Sequence, residues 1–154
     1  MKMTIKWMDK YLEEYMLIIL SGFLVIMIFA QVFMRYIFDA PISWSEEIAR
    51  FVFVWFIYVG VSAGVKYNRH LGVDAFKLLF KKKGETLLGI IANVLFLIFA
   101  VLITYHGIKI LGNVSRSSAA LQIPFFWVYL APVIGMFLTA IRLIQNITIQ
   151  IKAL

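Results

Sequence analysis

Hydrophobic positions run along this chain in long unbroken blocks. Three of them contain no Asp, Glu, Lys or Arg: Tyr15 to Met34 with 20 residues, Thr86 to Ile108 with 23, and Ser117 to Ile141 with 25. Each is long enough to cross a hydrocarbon core that needs about 20 residues of helix. A fourth block, Phe51 to Val65, has only 15 residues. At about 1.5 Å per residue it covers roughly 22 Å, against a core roughly 30 Å thick. It becomes a span only by including Arg50 and drawing Glu46 and Glu47 close to the membrane surface. The pattern predicts an all-α integral membrane protein: one four-helix domain over residues 1–154, with spans near 15–34, 47–65, 86–108 and 124–141.

Composition agrees. The chain is 63% hydrophobic with a mean hydropathy of +0.92, whereas soluble domains are about 45–50% apolar. Cysteine is absent, which removes disulfides, thiolate metal sites and thiol catalysis. The start of the chain is basic and then apolar, like a signal peptide. Its apolar run is too long for that role, so a retained anchor is expected.

Charge orients the spans. Four crossings put both termini on one side, together with the middle loop. Eleven of the fifteen lysines and arginines fall there; Arg35, Arg50, Lys109 and Arg116 fall opposite. The positive-inside rule makes both termini cytoplasmic. The net charge of +7 is then a topology signal that suits anionic lipid headgroups. No exposed basic domain exists to bind nucleic acid.

The middle loop is expected to form an amphipathic helix near 72–83 in the cytoplasmic interface. Val73, Phe76, Leu79 and Phe80 group on one side of it, and a headgroup anchor of Lys81, Lys82 and Lys83 follows. The N-terminal segment has a similar face of Ile5, Met8, Leu12 and Tyr15. Two readings are open for it, an interfacial helix and an extension of the first span.

Trp7, Trp44 and Trp127 fall near membrane boundaries, as an aromatic belt requires. Trp55 lies deeper, where its indole N–H needs a partner, and a helix–helix contact is expected. The charged mouth of the second span has a structural explanation in part. Ser43 and Glu46 have capping-box spacing, and acidic groups gain from a helix N-terminus. Arg50 is not covered by that explanation. It is within reach of Glu46 at i+4 and Glu47 at i+3, with Arg35 as a second cation at the same rim. The cluster Arg35, Trp44, Glu46, Glu47 and Arg50 is therefore a candidate for locking helices together or for docking a partner. Gly60 and Gly64 form a G-x-x-x-G stripe, and Ala131, Gly135 and Thr139 repeat small residues in the fourth span. With Trp55, these are candidate helix-packing or subunit-interface positions.

No Asp, Glu, Lys or Arg lies near the middle of an expected span, and no matched pair of broken helices marks a transport site. Asn93, Ser21, Ser62 and Thr139 are isolated polar groups, expected to be satisfied within the helices. His70 and His106 lie about a bilayer apart, too far to bracket one haem iron. No cofactor or metal is expected. There is no nucleophile–base pair, so no enzyme is expected either. A self-contained small multidrug-type exporter also has four short helices. It needs a membrane-embedded carboxylate, and the strong charge bias argues against dual orientation.

The segment Arg35 to Asp74, RYIFDAPISWSEEIARFVFVWFIYVGVSAGVKYNRHLGVD, resembles the DctQ-type small membrane subunit of tripartite ATP-independent periplasmic (TRAP) transporters. The resemblance rests on Arg35-Tyr36, Trp44, Glu46-Glu47, Arg50, Trp55, Gly60 and His70, and the sialic-acid members look most similar. It implies a non-catalytic subunit that scaffolds a large membrane subunit carrying the substrate and sodium sites. It also implies a periplasmic binding protein that delivers an organic acid, with membrane lipids as the remaining partner.

Overall fold

The computed structural model describes residues 2–40, 42–67 and 82–152. Four helices account for nearly all of them: α1 Lys2–Ile37, α2 Ser43–Lys66, α3 Lys82–Leu111 and α4 Phe126–Lys152. All four are long and apolar enough to cross a membrane, and the described residues hold no strand beyond an isolated bridge. The chain is an all-α integral membrane protein.

The helices outrun the apolar blocks that forecast them. α1 is continuous from Lys2, so the N-terminal segment extends the first span and is no separate helix. α2 reaches 24 residues by taking in Glu46, Glu47 and Arg50, as its short apolar block required. Ile42 stands at its N-cap position and no side chain caps it, so the expected Ser43–Glu46 capping box does not form. Ser45 instead turns its hydroxyl onto the Ile42 carbonyl at 2.7 Å. α4 continues past Ile141 to Lys152, because Leu143, Ile144, Ile147, Ile149 and Ile151 keep the segment apolar beyond Arg142. The forecast interfacial helix near 72–83 falls outside the described residues, as do Lys81 and His70. Lys82 and Lys83 open α3.

Among the described residues the closely packed pairs are α1 with α2, α2 with α4, and α4 with α3. The helices therefore form a row in the order α1, α2, α4, α3. α4 lies inside the row because its face is made of small residues. Ala131 and Thr139 are fully buried, and a Cβ at Gly135 would lie 2.5 Å from the Tyr58 Cβ and 3.0 Å from the Tyr58 carbonyl oxygen. On the α3 side a Cβ at Gly107 would meet Val133 at 2.5 Å. Backbones approach that closely only where one partner lacks a side chain. Val65, Ala100, Met136 and Leu143 form the core between these helices. α1 sits at one edge with Ile19, Val25, Ile26 and Phe29 each about two-thirds exposed.

Candidate functional site

Two polar assemblies fasten the row, one at each end of the helices. At the end away from the termini, the loop after α3 folds back as a short hairpin. Ser117 and Pro124 bridge, Phe125 N–H donates to the Arg116 carbonyl at 3.0 Å, and Ser118 N–H donates to the Ile123 carbonyl at 2.9 Å. Gln122 closes the turn with φ of 54°. The tip directs three consecutive backbone N–H groups, those of Ala119, Ala120 and Leu121, at the carboxylate of Glu47, at 3.1 to 3.2 Å. A carboxylate has enough lone pairs for all of them, and charged acceptors make the stronger hydrogen bonds. Below that point Phe51 meets Phe125 with centroids 5.8 Å apart. One turn deeper the Trp55 indole N–H donates to the Trp127 carbonyl at 3.0 Å. Residues 47, 51 and 55 are one turn apart, so a single stripe of α2 holds the hairpin and the start of α4.

The remaining residues of this rim are more loosely held. Arg50 pairs with Glu46 at 3.2 Å, and both side chains are largely exposed. Such a pair contributes little to stability. Arg35 is exposed in the last turn of α1 and pairs with neither glutamate, and Trp44 is exposed at the start of α2. Of the expected cluster, Glu46 and Arg50 come together. Glu47 belongs to the α3–α4 loop, a contact between residues 72 to 74 positions apart that spacing along α2 cannot reveal.

The small-residue positions divide. Ala131 and Gly135 lie inside the α2–α4 contact. Gly60 is half-buried, and a Cβ there would reach Leu17 of α1 at an ordinary 3.8 Å. Nothing lies within 4 Å of a Cβ built on Gly64.

At the end bearing the termini lies an assembly that sequence reading missed. Glu13 of α1 is fully buried. One carboxylate oxygen accepts from Arg142 Nε of α4 at 2.6 Å, and the other from Lys66 Nζ at the end of α2 at 3.1 Å. Arg142 also donates to Gln145 at 2.9 Å, and Asn146 donates to the Val65 carbonyl at 2.7 Å. Tyr67 donates its hydroxyl to Glu14. Arg142 and Glu13 lie just outside the charge-free blocks, yet both fall within the candidate spans Phe126–Lys152 and Tyr11–Ile37. The signal was the apolar sequence continuing beyond Arg142. Three of the four isolated polar groups are answered: Asn93 by Gln150 at 3.1 Å, Thr139 by the Gly135 carbonyl at 2.8 Å, and Ser21 by the Ile18 carbonyl at 3.0 Å. Ser62 is not, its buried hydroxyl having no hydrogen-bond partner among the described residues.

These features define a polytopic membrane protein whose charged side chains fasten helices to each other. A family model places it further. Residues 24–153 match the DctQ component of tripartite ATP-independent periplasmic transporters, and the chain belongs to that family. Its members are transport components, not enzymes. Among its relatives is the isethionate TRAP transporter permease protein DctMQ of Oleidesulfovibrio alaskensis. The two are 28% identical over 95% of this chain, which spans only 24% of that much longer protein. The C4-dicarboxylate TRAP transporter small permease protein DctQ of Vibrio cholerae is 34% identical over 60% of this chain and 40% of its own length. The sialic acid TRAP transporter small permease protein SiaQ of Vibrio cholerae is 28% identical over 82% of this chain and 75% of its own length.

Proposed function

We propose that this chain is the small membrane subunit of a TRAP transporter and acts as a static scaffold for a large transport subunit. The large subunit would carry the substrate and coupling-ion sites and take up an organic acid, delivered by a periplasmic binding protein, with an inward sodium gradient driving the uptake. The complex would lie in the inner membrane, with both termini of this chain cytoplasmic. The observation that carries the reading is the edge position of α1. It packs closely on α2 alone among the described helices and leaves a broad apolar face uncovered. The half-buried Gly60–Gly64 stripe, open at Gly64, offers a second surface on which a partner helix can approach closely.

Two further facts support it. This chain corresponds over nearly its whole length to about a quarter of DctMQ, as expected if the rest of that polypeptide supplies what a separate large subunit supplies here. The names of the relatives cover isethionate, C4-dicarboxylates and sialic acid, three different acids. A scaffold that does not touch the solute fits that spread, and sialic acid is one candidate among them. The exporter alternative needs a buried carboxylate open to substrate. Glu13 is the buried carboxylate among the described residues, and both its oxygens are held by cations.

Co-expression with a candidate large subunit tests the proposal. The two should co-purify, and vesicles containing both, but neither alone, should accumulate an organic acid when the binding protein is added. Active transport by this chain alone would overturn it.

A further inference from the structure

Four cations lie at the end of the helices away from the termini, against the charge bias of the chain, and each calls for a local reason. Arg50 has one in Glu46. Lys109 and Arg116 have no carboxylate partner among the described residues, yet both line the same cavity. It is a hollow of about 600 Å³ between the end of α3 and the start of α4, and His106, Tyr129, Ile110 and Phe125 also line it. No Asp or Glu is among its lining residues. The Lys109 ammonium is 4.4 Å above the ring of Tyr105, one turn back along α3.

The depth and the walls describe the occupant. The candidate span of α3 is Leu87–Leu111, so the cavity sits at its last turn, where phospholipid phosphates lie. Ile110 and Phe125 supply apolar walls. Below His106 the same helical face continues through Leu102, Ile98 and Leu95, each half or more exposed, as spacings of three and four residues require. Cations above an uncovered apolar track suit an amphiphile with an anionic head. A small free anion would have no use for the track. We propose that this cavity binds an anionic phospholipid, its phosphate held by Lys109 and Arg116 and its acyl chain laid along α3. A guanidinium matches two phosphate oxygens at once, and a lysine ammonium binds phosphate as a point charge. This site is at the opposite end of α3 from Lys82 and Lys83, which open that helix. It requires only that α3 and α4 cross the membrane, so it stands or falls separately from the scaffold reading.

The test uses the full chain with a photo-crosslinking residue at Ile110, reconstituted in mixed micelles with phosphatidylglycerol or phosphatidylcholine at equal mole fraction. Crosslinking to phosphatidylglycerol should exceed that to phosphatidylcholine. The K109Q/R116Q double variant should lower it by about fivefold to about twentyfold, since each cation near a surface changes affinity by about fivefold. The exchange variant K109R/R116K, which keeps both charges, should retain crosslinking, and R50Q at the same rim should leave it unchanged. Equal crosslinking to both lipids, no loss in the double neutral variant, or equal loss in the charge-preserving exchange would overturn the proposal. Displacement of the lipid by millimolar glycerol phosphate would overturn it in favour of a free-anion site.

Discussion

Glu13 and Arg142 stand 129 positions apart and meet at 2.6 Å inside the helix row. Lys66 completes the contact from α2 at 3.1 Å, so one carboxylate ties together three of the four helices. The side chain of Glu13 is 1% exposed and those of Arg142 and Lys66 are 10% and 14% exposed. Breaking a pair so placed strands the remaining charges, whereas replacing the whole set by apolar groups is often neutral or stabilising.

Glu13→Gln is therefore expected to destabilise the folded chain by roughly 3–5 kcal/mol. Replacing Glu13, Lys66 and Arg142 together with Leu, Met and Leu should recover most of that loss. Equilibrium unfolding in mixed micelles measures both. A triple variant as unstable as the sum of the single ones would mean that the three residues act independently.

Glu47→Gln leaves a single acceptor oxygen for the N–H groups of Ala119, Ala120 and Leu121. Amide hydrogen exchange at the hairpin tip should quicken in this variant, with the rest of α2 unchanged. Glu46→Gln should leave the tip protected, because Glu46 engages only Arg50 among the described residues. Unchanged exchange in Glu47→Gln would show that the hairpin holds itself.

Gly135→Leu and Gly64→Leu should fail in different ways. At Gly135 the new side chain would drive into the Tyr58 backbone, and overpacking of a close contact typically costs about 1–3 kcal/mol or more. That variant should lose thermal stability as an isolated chain. At Gly64 the space is open, so the isolated chain should keep its stability while co-purification with a large subunit falls. Normal co-purification of the Gly64 variant would assign that surface to lipid.

The orientation is checked by substituted-cysteine labelling, for which a chain without cysteine is suited. A cysteine replacing Lys82 should be protected from a membrane-impermeant reagent applied on the periplasmic side, and one replacing Asn113 should react. The reverse pattern would invert the topology.

The sequence by itself determined the class and the number of crossings, because a bilayer admits only helices that are long and apolar enough to satisfy their own backbone. It also made Glu46, Glu47 and Arg50 part of α2, since 15 apolar residues cannot span without them. The residues Arg35 to Asp74 carried the family likeness. Tertiary structure alone decided how the charges are used. Glu47 looked like a partner for Arg50 because both lie on one helix, and i+3 and i+4 neighbours are all that a helical period can show. Its actual acceptor role depends on a hairpin folded back from beyond α3. Glu13, Lys66 and Arg142 read as flanking charges of separate spans, and only the row order α1, α2, α4, α3 brings them together. Gly60 and Gly64 match a close-approach motif, yet the tight contacts fall to Gly135 against Tyr58 and Gly107 against Val133. A stripe of small residues permits backbone approach, and the neighbouring helix decides where it happens.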